Sequence, residues 1–339
     1  MEKICAISLF VGLILFGVAC SNEFDLTTDW EDTPIVYGLL SRQDTAHYIK
    51  IQKAFLDPEA SALDIAQIPD SLYYDDLTVK VIHLRSGDEY TLEMVDGNLE
   101  GYPKDEGVFA NAPNYLYKFK LADNEELVEG DRYQIRINRG DNTDEVIADD
   151  VIVSDMTIIS PFESAPIRIL YRDFPVTWRS EDDARIFDLR LKFNFKENSL
   201  HPDSTNIYVD KSVVWAVKKN IIRKEGDSNQ TKYDLPGESF YQFLSGELVA
   251  DPGLSRFYTS IEFVIDAGGA EIFEYINIGQ ANTGITSSQV VPTYTNLSEG
   301  LGVFSSVNKL LTDPYFVLHP EMRDSIEMGI YTKDLNFLF

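Results

Sequence analysis

Phe187-Asp188-Leu189-Arg190-Leu191-Lys192-Phe193-Asn194-Phe195 alternates five apolar residues with four polar ones, without a break. Only an extended strand, whose successive side chains point to opposite faces, sorts such a segment into one dry side and one wet side. A chain built around it has to bury one face of a sheet and leave the other in water, as antiparallel sheets do. The same period recurs in Tyr115–Leu121, where the odd positions are apolar or aromatic and Lys118 and Lys120 hold even ones. Ile35–Leu40, His47–Lys53, Leu77–Arg85, Glu89–Val95 and Arg132–Asn138 are further runs of strand length. Ser86-Gly87-Asp88, Asp96-Gly97-Asn98 and Glu129-Gly130-Asp131 punctuate them with residues that accept turn geometry. Asp57–Asp70 is loop-like, with a helical turn expected around Ala60–Ala66. Short strands at this spacing predict a β-sandwich over residues 34–155. Leu127–Ile135 reads like the late strands of an immunoglobulin-like module.

From Met156 the pattern changes. Strands are expected at Phe187–Phe195, at Val213–Val217 running on towards Ile222, and at Ser260–Asp266. Glu238–Leu248 carries Phe240, Phe243, Leu244 and Leu248 at helical spacing, with Ser239 as its expected cap. Ala267-Gly268-Gly269 turns into a second expected helix, Ala270–Ile278. Strands mixed with a few helices predict a β-rich α+β domain over residues 156–339, so the chain as a whole reads as mainly β.

The N-terminus has a different grammar. Lys3 precedes an apolar run, Ile4–Ala19, too short to span a bilayer and shaped like an export signal. The run ends in Gly17-Val18-Ala19-Cys20, which resembles a bacterial lipobox, with Gly17 where leucine is usual. That resemblance makes residues 1–19 a signal peptide and Cys20 the acylated first residue of the mature protein. Each buried methylene contributes roughly 0.8 kcal/mol, so two or more acyl chains hold a protein stably where one does not. Ser21-Asn22-Glu23-Phe24-Asp25 is similar to the short acidic export tags of Bacteroidota surface lipoproteins. Residues 20–33 then read as an acidic tether, with Trp30 its one large side chain after the tag.

Charge and cysteine content narrow the function classes. The chain carries 56 Asp and Glu against 29 Lys and Arg, a net charge of −27. That argues against nucleic acid and against anionic headgroups as partners. The only cysteines are Cys5, which leaves with the signal, and Cys20. No intramolecular disulfide, Cys nucleophile or Cys-rich zinc site is then expected in the mature chain. His47, His83, His201 and His319 lie far apart and fall in no metal-ligating spacing, and no G-x-S-x-G elbow marks a nucleophile. Asp75-Asp76, Asp141–Glu145, Asp149-Asp150 and Glu181–Asp183 are acidic clusters. Asp141–Glu145 has oxygen ligands for calcium but lacks the order of a calcium loop, so solvated loop charge is the favoured reading. Tyr73-Tyr74, Tyr171 and Trp178 are candidates for exposed aromatic platforms, weighed against ordinary strand packing. No cofactor, metal or catalytic group is expected.

Tyr294-Thr295-Asn296-Leu297-Ser298-Glu299-Gly300-Leu301-Gly302-Val303-Phe304-Ser305-Ser306 carries the family resemblance. It is similar to the C-terminal signature of Bacteroidota outer-membrane lipoproteins of unknown function, in which it closes a second domain behind an immunoglobulin-like or transthyretin-like sandwich. The residues themselves suggest a structural part: Asn296, Gly300 and Gly302 permit tight backbone, and Leu297, Leu301, Val303 and Phe304 are suited to plug a core. The family is encoded beside TonB-dependent transporters. The resemblance thus implies a non-enzymatic accessory or binding lipoprotein at the outer membrane, expected on the cell surface, with a β-barrel transporter as partner. A stand-alone glycan-binding or adhesin-like lipoprotein is the alternative, and a hydrolase a third.

Overall fold

In a computed structural model the described residues are 33–54, 61–141, 143–199, 208–223, 229–281 and 293–339. The signal peptide, Cys20, the tag Ser21–Asp25 and Trp30 lie outside them, as does His201. The fold is mainly β, with several sheets, as the alternating segments predict. No helix among the described residues is long and apolar enough to cross a membrane.

The first half is a sandwich. β1 (Pro34–Ser41), β2 (Ala46–Lys53), β3 (Thr78–His83), β4 (Glu89–Thr91), β5 (Glu93–Asp96), β6 (Tyr115–Lys120), β7 (Arg132–Asn138) and β8 (Val146–Val151) divide between two sheets. One layer is the four-stranded sheet β4-β3-β7-β8, and the other runs β5-β6-β2-β1. Between them lie Val36, Leu40, Ile49, Ile51, Val81, Ile135 and Ile137, all essentially inaccessible to solvent. Their partners at odd spacing, such as Tyr48, Lys50 and Gln52, face outward. Two short helices, α1 (Ala62–Ile65) and α2 (Pro69–Leu72), fill the connection from β2 to β3. Glu89–Val95, one strand by sequence, is two in the structure. It breaks at the buried Leu92, and β4 and β5 belong to different sheets.

The second half adds β9 (Thr157–Ser160), β10 (Phe174–Arg179), β11 (Ile186–Ser199), β12 (Val209–Ile222), β13 (Gln230–Leu235) and β14 (Leu254–Gly268). The alternating segment Phe187–Phe195 is the middle of β11, and it pairs antiparallel with both β12 and β14. Its dry face, with Leu189, Leu191, Phe193 and Phe195, meets Trp178, Phe240, Tyr241 and Phe263. Helix α3 (Gly237–Glu247) covers this core, with Phe240 5.8 Å from the Phe193 ring. The expected cap at Ser239 is not the cap: α3 begins at Gly237 behind Pro236, and no side chain caps it. Helix α4 (Ala270–Ala281) follows β14 after the Gly268-Gly269 turn, and α5 (Pro320–Glu327) precedes the last strand, β16 (Phe337–Leu338).

One strand joins the halves. β15 (Leu301–Leu311) pairs parallel with β1 along Leu301–Val307 and antiparallel with β14 along Val307–Leu311. It fuses the two parts into one nine-stranded sheet, ordered β12-β11-β14-β15-β1-β2-β6-β5, with β16 paired to β14.

Candidate functional site

The Tyr294–Ser306 stretch is where sequence reasoning singled out a family signature, and its geometry explains each residue type. Phe304 is fully buried in the first core, and Leu297 nearly so, so the stretch closes the first sandwich rather than the second domain. Gly302 has φ +115°, and a Cβ built there would stand 1.9 Å from the Val36 carbonyl oxygen. Only glycine lets the backbone approach β1 this closely. Gly300, at φ +100°, meets Pro34 in the same way. The Asn296 side chain pairs with the Phe304 backbone, donating Nδ2–H to its carbonyl at 2.7 Å and accepting its N–H at 3.0 Å. Val303 is buried as expected, whereas Leu301 is 40% exposed and plugs nothing.

Beside it runs a buried polar seam. Asp150 accepts from Ser305 Oγ at 2.7 Å and from the Ser306 amide at 3.0 Å. Ser306 Oγ donates to the Val151 carbonyl and accepts the Val153 amide. Asn308 Nδ2 donates to the Val153 and Ser154 carbonyls. These bonds fasten the end of β8 and the chain beyond it onto β15. Burial raises the Asp150 carboxyl to about 6, its hydrogen bonds oppose the rise, and the nearby Glu271 charge adds to it. Asp150 was legible only as part of an acidic pair; its partner Asp149 faces out and pairs with Arg132.

The other sequence candidates are dispersed. Trp178 is completely buried and Tyr73 nearly so, so both belong to cores. Tyr171 is 42% exposed, and its ring lies 4.7 Å from the Tyr241 ring and 6.2 Å from that of Tyr331. Asp141 turns inward on its own loop, accepting from the Thr143 amide and hydroxyl, and those bonds hold its carboxyl below the usual range. Asp182 pairs with Arg223, and Asp183 accepts from Ser154 Oγ. His47 stacks on Phe119 inside the first core, and His319 Nδ1 accepts the Glu321 amide at the start of α5. Among the described residues no three His, Cys, Asp or Glu side chains converge as a metal site would require.

The turn after β3 does assemble a serine, a histidine and an aspartate. Ser86 Oγ lies 2.9 Å from His83 Nδ1, and His83 Nε2 lies 2.8 Å from Asp131 Oδ2. Ser86 Oγ also lies 2.5 Å from the Asp88 carboxylate, two residues along the same turn. Stacked 4.5 Å from Tyr133, with Arg85 closing on Asp131 at 2.7 Å, the group pins a hairpin.

A different arrangement lies on the outer face of the first sandwich. Tyr37 and Leu39 of β1 are about two-fifths exposed there, and Tyr37 stands opposite Lys50 of β2. Helix α4 crosses the neighbouring β15, where the Ile272 amide bonds Ser305 Oγ and Tyr275 meets Tyr37 edge to face, hydroxyls 3.3 Å apart. The β5–β6 connection folds over the other side, placing the Tyr102 ring 4.7 Å from Tyr48. Glu100 of that connection takes Lys118 at 2.6 Å and the Tyr48 hydroxyl at 2.9 Å. Lys104 reaches back to the Ala110 carbonyl at 2.7 Å. This face of tyrosines and lysines draws on β1, β2, the β5–β6 connection, β6 and α4, from residue 37 to residue 275, which is why local reading missed it; the alternation of Tyr48, Lys50 and Gln52 along β2 was its one signal.

No family model matches the chain, and no curated protein matches it. Among solved structures, Escherichia coli alpha-2-macroglobulin activated by porcine elastase aligns over 71% of this chain at 11% identity and a TM-score of 0.19. The chain spans 19% of that protein's length, and a likeness at this level carries no argument.

Proposed function

We propose that the protein is a lipid-anchored outer-membrane lipoprotein, displayed on the cell surface, that serves as a non-enzymatic accessory or binding subunit of a TonB-dependent β-barrel transporter. The observation that carries the reading is Cys20, placed at the end of a signal-like apolar run and followed by no other cysteine. The acidic tag after it and the Tyr294–Ser306 signature support the same assignment. Exposed aromatic side chains support a docking part: Phe162 is 73% exposed and Phe316 68%, on segments tied together by the Tyr315 hydroxyl bond to the Pro161 carbonyl. Exposed aromatic side chains of this size are what protein interfaces bury.

The test is extraction in mild detergent with a tag after Phe339, followed by mass spectrometry of co-purifying proteins. A stoichiometric β-barrel is the expected result, and Cys20→Ser should release the protein from the membrane fraction. A clean monomer, under conditions that keep other barrel–lipoprotein complexes intact, contradicts the accessory role. The tyrosine-rich face around Tyr37 and Tyr102 favours a second reading, a stand-alone glycan-binding lipoprotein, which that outcome would leave in place.

A further inference from the structure

On this strongly acidic chain guanidinium groups find carboxylates: Arg42 has three, and Arg139, Arg168, Arg190, Arg223 and Arg256 have one each. Arg179, the last residue of β10, departs from that pattern. It has no hydrogen-bond or ion-pair partner among the described residues. It lines a surface cleft of about 470 Å³, formed by β9, the end of β10 and the start of the connection between them. Glu163 lines the same cleft, and it too has no partner among the described residues. Two opposite charges thus share one cleft without meeting each other, and neither is consumed by the protein itself.

The rest of the lining is mixed. Ile159 and Phe162 supply apolar surface, and Thr157 and Ser164 supply hydroxyls. The cleft is held in shape from several sides. Arg179 stands opposite Thr157 in the β9–β10 pair. The Pro161 carbonyl accepts the Tyr315 hydroxyl at 2.9 Å, and the Ile167 amide donates to the Val317 carbonyl at 3.0 Å. Between those anchors the Ala165 amide closes a turn on the Phe162 carbonyl at 3.0 Å. A site formed before its ligand arrives loses little ordering entropy on binding, and a cleft of this size falls within the roughly 300–1,000 Å³ of small-molecule sites. The charges select the ligand. An anion would meet Arg179 but also Glu163 and the field of a chain with net charge −27. A cation would meet Glu163 but also the guanidinium. A zwitterion answers both: its carboxylate matches the guanidinium fork, and its ammonium matches the Glu163 carboxylate.

We propose that the β9–β10 cleft binds an α-amino acid with an apolar side chain, its carboxylate on Arg179, its ammonium on Glu163 and its side chain against Ile159 and Phe162. The inference deepens the binding part of the proposed function and does not depend on the lipid anchor or on a barrel partner. Failure to bind leaves the co-purification result untouched, so the two readings fail separately.

The test uses the purified full-length chain in detergent and calorimetric titration with leucine, leucine amide and N-acetylleucine. Leucine should saturate, and each derivative, which lacks one of the two charges, should bind at least about tenfold more weakly. Arg179→Gln should weaken leucine about tenfold or more and leave leucine amide unchanged. Glu163→Gln should weaken leucine to a similar extent and leave N-acetylleucine unchanged. The unchanged derivative in each case shows that the cleft is still folded. Phe162→Ala should weaken all three, while Lys232→Gln, an exposed lysine of the same three-stranded sheet, should change nothing. No saturation by leucine at ~10 mM, equal affinity for leucine amide, or full leucine binding by Arg179→Gln would each overturn the proposal. So would an equal loss of leucine and leucine amide in Arg179→Gln, because the carboxylate contact would then not be the one removed.

Discussion

The two cores are filled by different chemistry. In the first sandwich Val36, Ile49, Ile51, Val79, Val81, Ile135, Ile137 and Val146 dominate. In the second half Trp178, Phe187, Phe193, Phe195, Phe240, Phe263 and Phe337 do. Branched aliphatic side chains suit two sheets facing each other at a nearly constant spacing of about 10 Å. Rings fill the uneven space where α3, α5 and a short sheet meet the long strands, and they pair edge to face, as Phe193 does with Phe240 and Phe337. The cores also differ in what they borrow. The second is drawn from residues 153–337 alone, whereas the first needs Leu297 and Phe304 from the far end of the chain. The family-like stretch is therefore the part of the second half that completes the first.

That asymmetry can be broken at graded points. Gly302→Ala should have the largest effect, because a Cβ 1.9 Å from the Val36 carbonyl oxygen at φ +115° has nowhere to go. A loss of more than about 4 kcal/mol, seen as failure to accumulate folded protein, is expected. Phe304→Ala and Phe193→Ala should each cost roughly 3–5 kcal/mol, one in each core. If β15 couples the cores, calorimetry will show each variant lowering one shared transition. Two transitions, with only one moved by each variant, would separate the halves.

The seam gives a pH-dependent prediction. The Asp150 carboxyl titrates at about 6 in the fold against 3.8 for the ordinary group, so the folded chain binds this proton more tightly than the unfolded chain. Its contribution is complete below about pH 3.8 and is lost as pH rises through about 6. Denaturant titrations should show the stability of the natural chain, relative to Asp150→Asn, falling by ~3 kcal/mol across that window. A flat difference would mean that the carboxylate is not desolvated. The smallest effect is expected for Asn296→Ala, which removes two bonds to the Phe304 backbone and should cost about 1–3 kcal/mol in the same assay.

What could be read from sequence follows from range. The Phe187–Phe195 alternation gave β11 its face, and the apolar spacing of Phe240, Phe243 and Leu244 placed α3, because neighbouring residues decide both. The glycines of the Tyr294–Ser306 stretch signalled tight backbone, but not that the surface they approach is β1, more than two hundred residues earlier. Parallel pairing leaves no local mark. Trp178 carried the look of an exposed platform and is in fact core, since an aromatic side chain reads the same in either place. Asp131, in what scans as a plain turn, is buried against His83. The packing of Tyr102 on Tyr48 depends on how the β5–β6 connection folds back over β2, which neither segment announces.

The most direct test of the shared-strand account is to express residues 33–155 alone and follow thermal unfolding by near-ultraviolet circular dichroism. Without β15, Leu297 and Phe304, the fragment should show no cooperative transition, and it should regain one when a segment covering residues 293–311 is fused through a flexible linker. A cooperative melt of the fragment by itself, unchanged by the fused segment, would contradict the claim that the C-terminal strand completes the first core.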